Sequence, residues 1–357
     1  MMKGNVKPLG RTWLDGDNIL WCGLSGSGIE FEISASRLEL TLAGDSGANP
    51  NNKDGNARFA VYVNGERVID EQIDGKEKSC VVFDTQTAAN VKLIKLSESA
   101  NSVFGIKGIA SENCVSLKPA DNKPLLIEFI GDSITCGYGV DDEVKENHFS
   151  TSTEDITKAY AYKTAENLNA DYSMVSYSGY GIISGYSDDG RKSVNQLVPE
   201  YYDKTGFSYG SANGRKLETV PWDFSVRQPG IVVINLGTND SSYTKNDPEK
   251  CAEYQTEYTA FLKAVHEKNP DAKIICSLGI MGQDLYTYME NAVSDYSRET
   301  GDDNVSCFKF DVQDMAADGI AADWHPSEKT HEKAARKLAK EIAKLYGSCY
   351  SIISRTE

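Results

Sequence analysis

Gly131-Asp132-Ser133 directly follows the apolar run Leu125 to Ile130, and a serine at such a strand-to-helix corner stands where a ligand can reach it. Its hydroxyl is a weak nucleophile alone and needs a base. Of the four histidines, His325 is the best placed, in Asp323-Trp324-His325-Pro326-Ser327 before the final helical stretch, with a carboxylate two residues upstream. His266 falls in an amphipathic run beside Glu267 and Lys268, His331 within the last helix, and His148 in a polar loop. Two further strand ends carry donors: Ser178-Gly179-Tyr180-Gly181 follows the run ending near Ser176, and Gly237-Thr238-Asn239-Asp240 follows Ile231 to Leu236. The Ser133 and Gly179 N–H groups and the Asn239 amide could together form an oxyanion hole. Singly, each has an ordinary reading: a turn tripeptide, turn glycines, a helix cap at Asn239, a packed loop histidine, a solvated loop acid at Asp323. Their joint order after successive strands points to acyl transfer through a serine.

Two kinds of periodicity organise the chain, with a boundary near residue 117. Before it, apolar residues alternate at Ile29, Phe31 and Ile33, at Leu38, Leu40 and Leu42, and at Phe59, Val61 and Val63, as one-sided strands require. Asn64-Gly65 supplies a hairpin turn before Val68. Further β-rich runs at Cys80 to Phe83 and Val91 to Leu96 predict an all-β antiparallel sandwich over residues 1–117, with no helix evident. After the linker Lys118 to Pro124, residues 118–357 read as α/β. Strands are predicted at Leu125 to Ile130, Tyr172 to Ser176, Ile231 to Leu236, Lys273 to Leu278 and Val305 to Phe310. Helices are expected around Ala159 to Leu168, Ala252 to Lys268, Leu285 to Arg298 and Glu328 to Leu345. Continuously apolar strands imply a mostly parallel sheet covered on both faces. The polar stretches Asp141 to Lys158 and Tyr186 to Asp223 read as loops over a binding face.

Composition narrows the partners. The 357 residues carry 37 Lys and Arg against 53 Asp and Glu, a net charge of −16, which argues against nucleic acid or an anionic membrane surface as partner. No apolar stretch approaches the roughly 18 residues that span a bilayer. The N-terminus reaches Gly10-Arg11 without an apolar core, so the expectation is a cytoplasmic chain, or a secreted one if a leader has been trimmed. Eight cysteines are scattered singly, with no CxxC pair and no clustering with histidine. They read as reduced core thiols, and no metal or cofactor is expected.

The four blocks around Gly131-Asp132-Ser133, Gly179, Gly237-Thr238-Asn239-Asp240 and His325 resemble those of the SGNH, or GDSL-type, serine hydrolases, and they extend over the whole second domain. That resemblance implies a flavodoxin-like three-layer fold with Ser133 as nucleophile, His325 as base and an oxyanion hole from Ser133, Gly179 and Asn239. More narrowly, a preceding jelly-roll-like sandwich with Lys95-Leu96-Ser97-Glu98, Pro221-Trp222-Asp223-Phe224 and Asp323-Trp324-His325-Pro326 is similar to carbohydrate esterase family 2. Members of that family deacetylate plant polysaccharides such as xylan and glucomannan. The wider family carries an Asp three residues before the His, where this sequence has Ala322. Either Asp323 substitutes, or a backbone carbonyl orients His325 in a Ser-His dyad.

The expected function is thus removal of O-acetyl groups from acetylated carbohydrate through an acetyl-enzyme on Ser133. Trp324 and Trp222 are candidate sugar platforms, since a pyranose face packs on an aromatic ring, with a core or loop anchor as the equal alternative. Two competing functions are a lipase or thioesterase on the same fold, and an inert carbohydrate-binding protein. The sequence leaves self-association open.

Overall fold

The computed structural model describes residues 4–346. Proximity along the Cα trace divides the chain into two compact units. One comprises the residues up to Asn122 together with Phe149–Ile156 and Lys204–Trp222; the other holds Lys123–His148, Thr157–Asp203 and the residues from Asp223 onward.

The first unit is a sandwich of antiparallel strands: β1 (Lys7–Leu9), β2 (Thr12–Leu14), β3 (Leu20–Cys22), β4 (Gly28–Ala35), β5 (Arg37–Gly44), β6 (Arg58–Val63), β7 (Glu66–Gln72), β8 (Glu77–Phe83), β9 (Thr87–Lys95), β10 (Phe104–Glu112) and β11 (Ser116–Pro119). One sheet runs β1-β4-β9-β6-β7, with β11 also pairing β4; the other runs β2-β3-β10-β5-β8. Alternation decides what is buried: Ile29, Phe31 and Ile33 face a core that Leu38, Leu40, Leu42 and Phe104 close from the second sheet. The Phe59 and Phe104 rings meet there at 6.0 Å. Asn64 and Gly65 take φ of 52° and 88°, the paired positive angles of a tight hairpin turn, between β6 and β7. Strands β1 to β3 are too short to alternate visibly, and β10 is interrupted by Gly105 and Gly108, so periodicity does not announce them. Gly105 is required by close packing, since a Cβ there would lie 2.4 Å from Ile19 Cγ2.

The second unit carries β12 (Leu126–Gly131), β13 (Asp171–Ser176), β14 (Ile231–Asn235), β15 (Lys273–Ile280) and β16 (Val305–Val312). All pair in parallel, in the order β13-β12-β14-β15-β16. Helices are α1 (Ser133–Cys136), α2 (Tyr160–Asn167), α3 (Thr238–Thr244), α4 (Pro248–Lys268), α5 (Tyr286–Thr300), α6 (Met315–Asp318) and α7 (Glu328–Tyr346). The predicted strands and long helices are present within a few residues. Helix α3 was not expected, because Thr-Asn-Asp-Ser-Ser-Tyr-Thr has neither apolar periodicity nor helix propensity. Strand order reverses between β12 and β14, a switch point of the kind at whose carboxyl strand ends α/β sheets bind ligands. Gly131 is in register with Ser176 on one side and Asn235 on the other, so three chains leave the sheet side by side there.

Cys22, Cys80, Cys136, Cys251 and Cys276 are buried thiols and Cys307 is half-buried; Cys114 is exposed, against the expectation of core thiols, and Cys349 lies outside the described residues. Among the described residues no helix is long and apolar enough to cross a membrane.

Candidate active site

The corner after β12 is built by three adjacent residues. A Cβ at Gly131 would come within 2.0 Å of Thr135 Oγ1, so only glycine lets the chain turn this tightly. Asp132 is the N-cap of α1, its carboxylate accepting from Ile134 N–H at 3.0 Å. Ser133 then occupies the first helical position, where its N–H has no intrahelical acceptor. Gly137 ends the helix after four residues in a left-handed conformation. The Asp132 carboxyl is pushed up to about 7 by burial, to which the nearby Asp240 charge adds.

His325 Nε2 lies 2.8 Å from Ser133 Oγ. Its Nδ1 lies 3.1 Å from the main-chain carbonyls of both Ala322 and Asp323. Carbonyls only accept, so Nδ1 carries the proton and the Nε2 lone pair faces the serine hydroxyl. This is the tautomer a general base needs. Burial pushes the imidazolium down to about 4, against the opposing pull of the two carbonyls and the Asp323 charge, so the ring is neutral near pH 7.

The expectation that the Asp323 side chain reaches Nδ1 is not met. Its carboxylate accepts instead from Tyr138 Oη at 2.5 Å and from His148 Nδ1 at 2.9 Å. The reason is backbone geometry: Asp323 has φ 48° and ψ 38°, which turns its carbonyl toward His325 and its side chain elsewhere. Ala322, where the wider pattern has an acid, is wholly buried, and Gly139 passes so close that a Cβ there would sit 2.7 Å from Ala322 Cβ.

The other two expected oxyanion donors, Gly179 and Asn239, follow the two neighbouring strands. Gly179 has φ 81°, a value glycine takes without strain. Asn239, on the first turn of α3, is buried and donates through Nδ2 to the Tyr180 carbonyl at 2.8 Å, which leaves a second amide hydrogen. Asp240, not singled out from sequence, holds this loop. Its Oδ1 accepts from the N–H groups of Ile182, Ile183 and Ser184 at 2.9, 2.7 and 3.1 Å. Burial raises its carboxyl to about 6, and those three amides pull the other way. Gly181 passes directly over the carboxylate, where a Cβ would be 2.6 Å from Oδ2. The spacing Tyr180-Gly181-Ile182 contains no signal for this, because the cradle forms only when the turn wraps α3.

Trp324 is half exposed next to His325, with the Lys145 ammonium 4.2 Å from its ring centroid. Both line an open cavity of about 400 Å³ with Glu143, Val144, Glu146, Met315 and Ile320. Tyr186, an exposed residue, donates its N–H to the Gly179 carbonyl at 2.8 Å. Trp222 belongs to the other unit, where the Arg11 guanidinium lies over its ring at 5.5 Å.

A GDSL-like Lipase/Acylhydrolase family match extends over residues 127–338, more than half of the chain and every candidate site residue from Gly131 to His325. The chain belongs to this family. Residues 9–120 of this GDSL hydrolase match the Carbohydrate esterase 2 N-terminal family. It is similar to the cellulase/esterase CelE of Acetivibrio thermocellus, 32% identical over 91% of this chain, though it spans only 38% of that protein's length. It is also similar to an acetylxylan esterase / glucomannan deacetylase of Cellvibrio japonicus, 24% identical over 96% of this chain and 89% of that one. Among solved structures, the acetyl xylan esterase Est2A from the rumen bacterium Butyrivibrio proteoclasticus superposes with a TM-score of 0.86 at 25% identity, covering 97% of this chain and 96% of that one.

Proposed function

We propose that this GDSL hydrolase removes O-acetyl groups from carbohydrates such as xylan or glucomannan, using Ser133 and His325 as a dyad. The observation that carries the reading is the 2.8 Å contact between His325 Nε2 and Ser133 Oγ, with Nδ1 turned to two main-chain carbonyls. As Ser133 Oγ attacks the acetyl carbonyl, its proton passes to Nε2, and the imidazolium that forms is stabilised by the Ala322 and Asp323 carbonyls. The Ser133 and Gly179 N–H groups and the free Asn239 amide hydrogen are the donors assigned to the oxyanion. His325 returns the proton to the departing sugar oxygen, leaving acetyl-Ser133. Water, deprotonated by the same Nε2, then releases acetate and restores the serine. The acetylxylan esterase and glucomannan deacetylase identities of the Cellvibrio and Butyrivibrio relatives support the choice of acetylated glycan. The exposed Trp324 ring beside the base suits a pyranose face.

The test is acetate release from acetylated xylan, glucomannan and short oligomers, compared with hydrolysis of longer acyl esters. Acetate release from the glycans at rates above those on long acyl chains is expected. Preference for long chains would turn the assignment to a lipase or thioesterase.

A further inference from the structure

Asp323 and Trp324 are consecutive non-glycine residues with φ of 48° and 64°, a left-handed turn that L residues seldom adopt in succession. This turn aims two carbonyls at one imidazole nitrogen, in the place where a carboxylate would otherwise stand. Such strain persists only where the surroundings over-determine it. Four contacts do so here. The Asp323 carboxylate is held by the Tyr138 hydroxyl and His148 Nδ1 at 2.5 and 2.9 Å. The Asp323 N–H donates to the Asn147 carbonyl at 3.0 Å, and Gln313 Nε2 donates to the Trp324 carbonyl at 2.9 Å. Tyr138 has a second engagement: its ring stacks on the His325 imidazole, centroids 3.9 Å apart and planes 19° from parallel.

We propose that Tyr138 and Asp323, braced by His148, are positioning residues that orient His325 through the main chain, in place of a triad carboxylate. The inference rests on His325 being the base of the esterase reaction. Tyr138 limits ring tilt from one side, while the Asp323 side chain locks the peptide whose carbonyl fixes Nδ1. Burial raises the Asp323 carboxyl, but the hydrogen bonds from Tyr138 and His148 and the His148 and His325 interactions outweigh it, holding it below the usual carboxylate range. The Asp323 side chain thus anchors the turn as an acceptor for Tyr138 and His148. His148 is almost wholly exposed and contributes least.

The test compares kcat and KM on a chromogenic acetyl ester, the rate of Ser133 labelling by a serine-directed phosphonate, and thermal unfolding in Asp323→Asn, Asp323→Ala, Tyr138→Phe and His325→Ala. Asparagine tolerates the left-handed turn and keeps an oxygen for Tyr138, so Asp323→Asn is expected to lose about fivefold or less in kcat. Asp323→Ala loses both anchors and is expected to fall about 30-fold, with KM within about twofold and labelling slowed in parallel. Tyr138→Phe keeps the stacked ring and the fold, and should fall by about five- to tenfold in kcat. If Asp323→Asn is as damaging as Asp323→Ala, the carboxylate charge acts on the imidazole directly and the proposal fails. Wild-type kcat in both Asp323→Ala and Tyr138→Phe would equally overturn it, since the turn would then hold itself. Full activity in His325→Ala would instead overturn the assignment of the base, a separate failure.

Discussion

At the residue scale, the site works by giving each polar group one direction. His325 is the clearest case, because two acceptors at Nδ1 leave only Nε2 as a base. Its depressed value has a kinetic consequence. The form of His325 that can act as the proposed base is neutral and is lost when the ring gains a proton, so activity is expected to decline as pH falls through about 4, not through the 6.5 of an ordinary imidazole. A profile of kcat/KM against pH for a neutral ester is therefore expected to stay level down to about pH 5. An acid limb centred near pH 6.5 would mean that solvent reaches the ring in the free enzyme. Asn239 supplies a second residue-scale expectation. One of its amide hydrogens is committed to the Tyr180 carbonyl and the other is assigned to an oxyanion that exists only after attack. Asn239→Ala should lower kcat on the order of 10²-fold while KM changes little. An unchanged kcat would reduce Asn239 to a structural clasp between α3 and the Tyr180 turn.

At the element scale, the parallel sheet brings three strand ends into register, and the loops leaving them must then be held in place. Asp240 does this for the turn after β13, gathering three successive amides on one buried oxygen. Removing that acceptor leaves buried N–H groups unpaired, at about 1–3 kcal/mol each before relaxation. Asp240→Ala is accordingly expected to be destabilised by at least about 2 kcal/mol. Below its unfolding transition it should also lose kcat more than substrate affinity, because Gly179 rides on the same turn. Thermal unfolding together with steady-state kinetics checks both. Wild-type kcat in the folded variant would show that Gly179 is held independently of Asp240. Strands β12 to β16 are legible from their unbroken apolar runs, since a sheet covered on both faces has no exposed side to alternate. Helix α3 is not legible, because its seven residues carry no periodic signal and it owes its place to the turn it anchors.

At the scale of the whole molecule, two segments group with the sandwich although they lie, in sequence, inside the hydrolase part. Phe149–Ile156 and Lys204–Trp222 fall within Asp141 to Lys158 and Tyr186 to Asp223, the stretches expected as loops over a binding face. In the first, Asp155 is wholly buried and paired with Arg67 at 2.8 Å. Glu154 accepts from the Glu98 N–H at 2.7 Å, and Ile156 donates to the Leu96 carbonyl at 3.1 Å. In the second, Tyr209 donates to the Ala100 carbonyl and Ser211 accepts from Ser46. Lys95, from the motif that resembles family 2, is wholly buried and spends its ammonium on the Ser97 and Glu98 carbonyls at 2.6 and 2.7 Å, shaping the same stretch. A fragment starting at residue 118 would keep both segments without their partners, including an acid left without its guanidinium. Such a fragment is expected to be poorly soluble or weakly active, measured as soluble yield and acetate release per mole. Full activity in soluble form would show that the hydrolase part folds and works without the sandwich.

The sequence by itself determined where the side chains of the proposed site stand and in what order, because Ser133, Gly179, Asn239 and His325 each follow or precede an element that local pattern defines. It determined both sheet types for the same reason: period-two alternation and continuous apolar runs are properties of short windows. What orients His325 was decided only by tertiary structure. Asp323 is two residues from the imidazole, and that spacing is compatible with a triad; whether its side chain or its carbonyl faces Nδ1 depends on a left-handed backbone stabilised by Tyr138, distant by 185 positions in the chain. The cradle of Asp240 and the allegiance of Phe149–Ile156 and Lys204–Trp222 were settled the same way, by hydrogen bonds between residues far apart in sequence, which no local periodicity encodes.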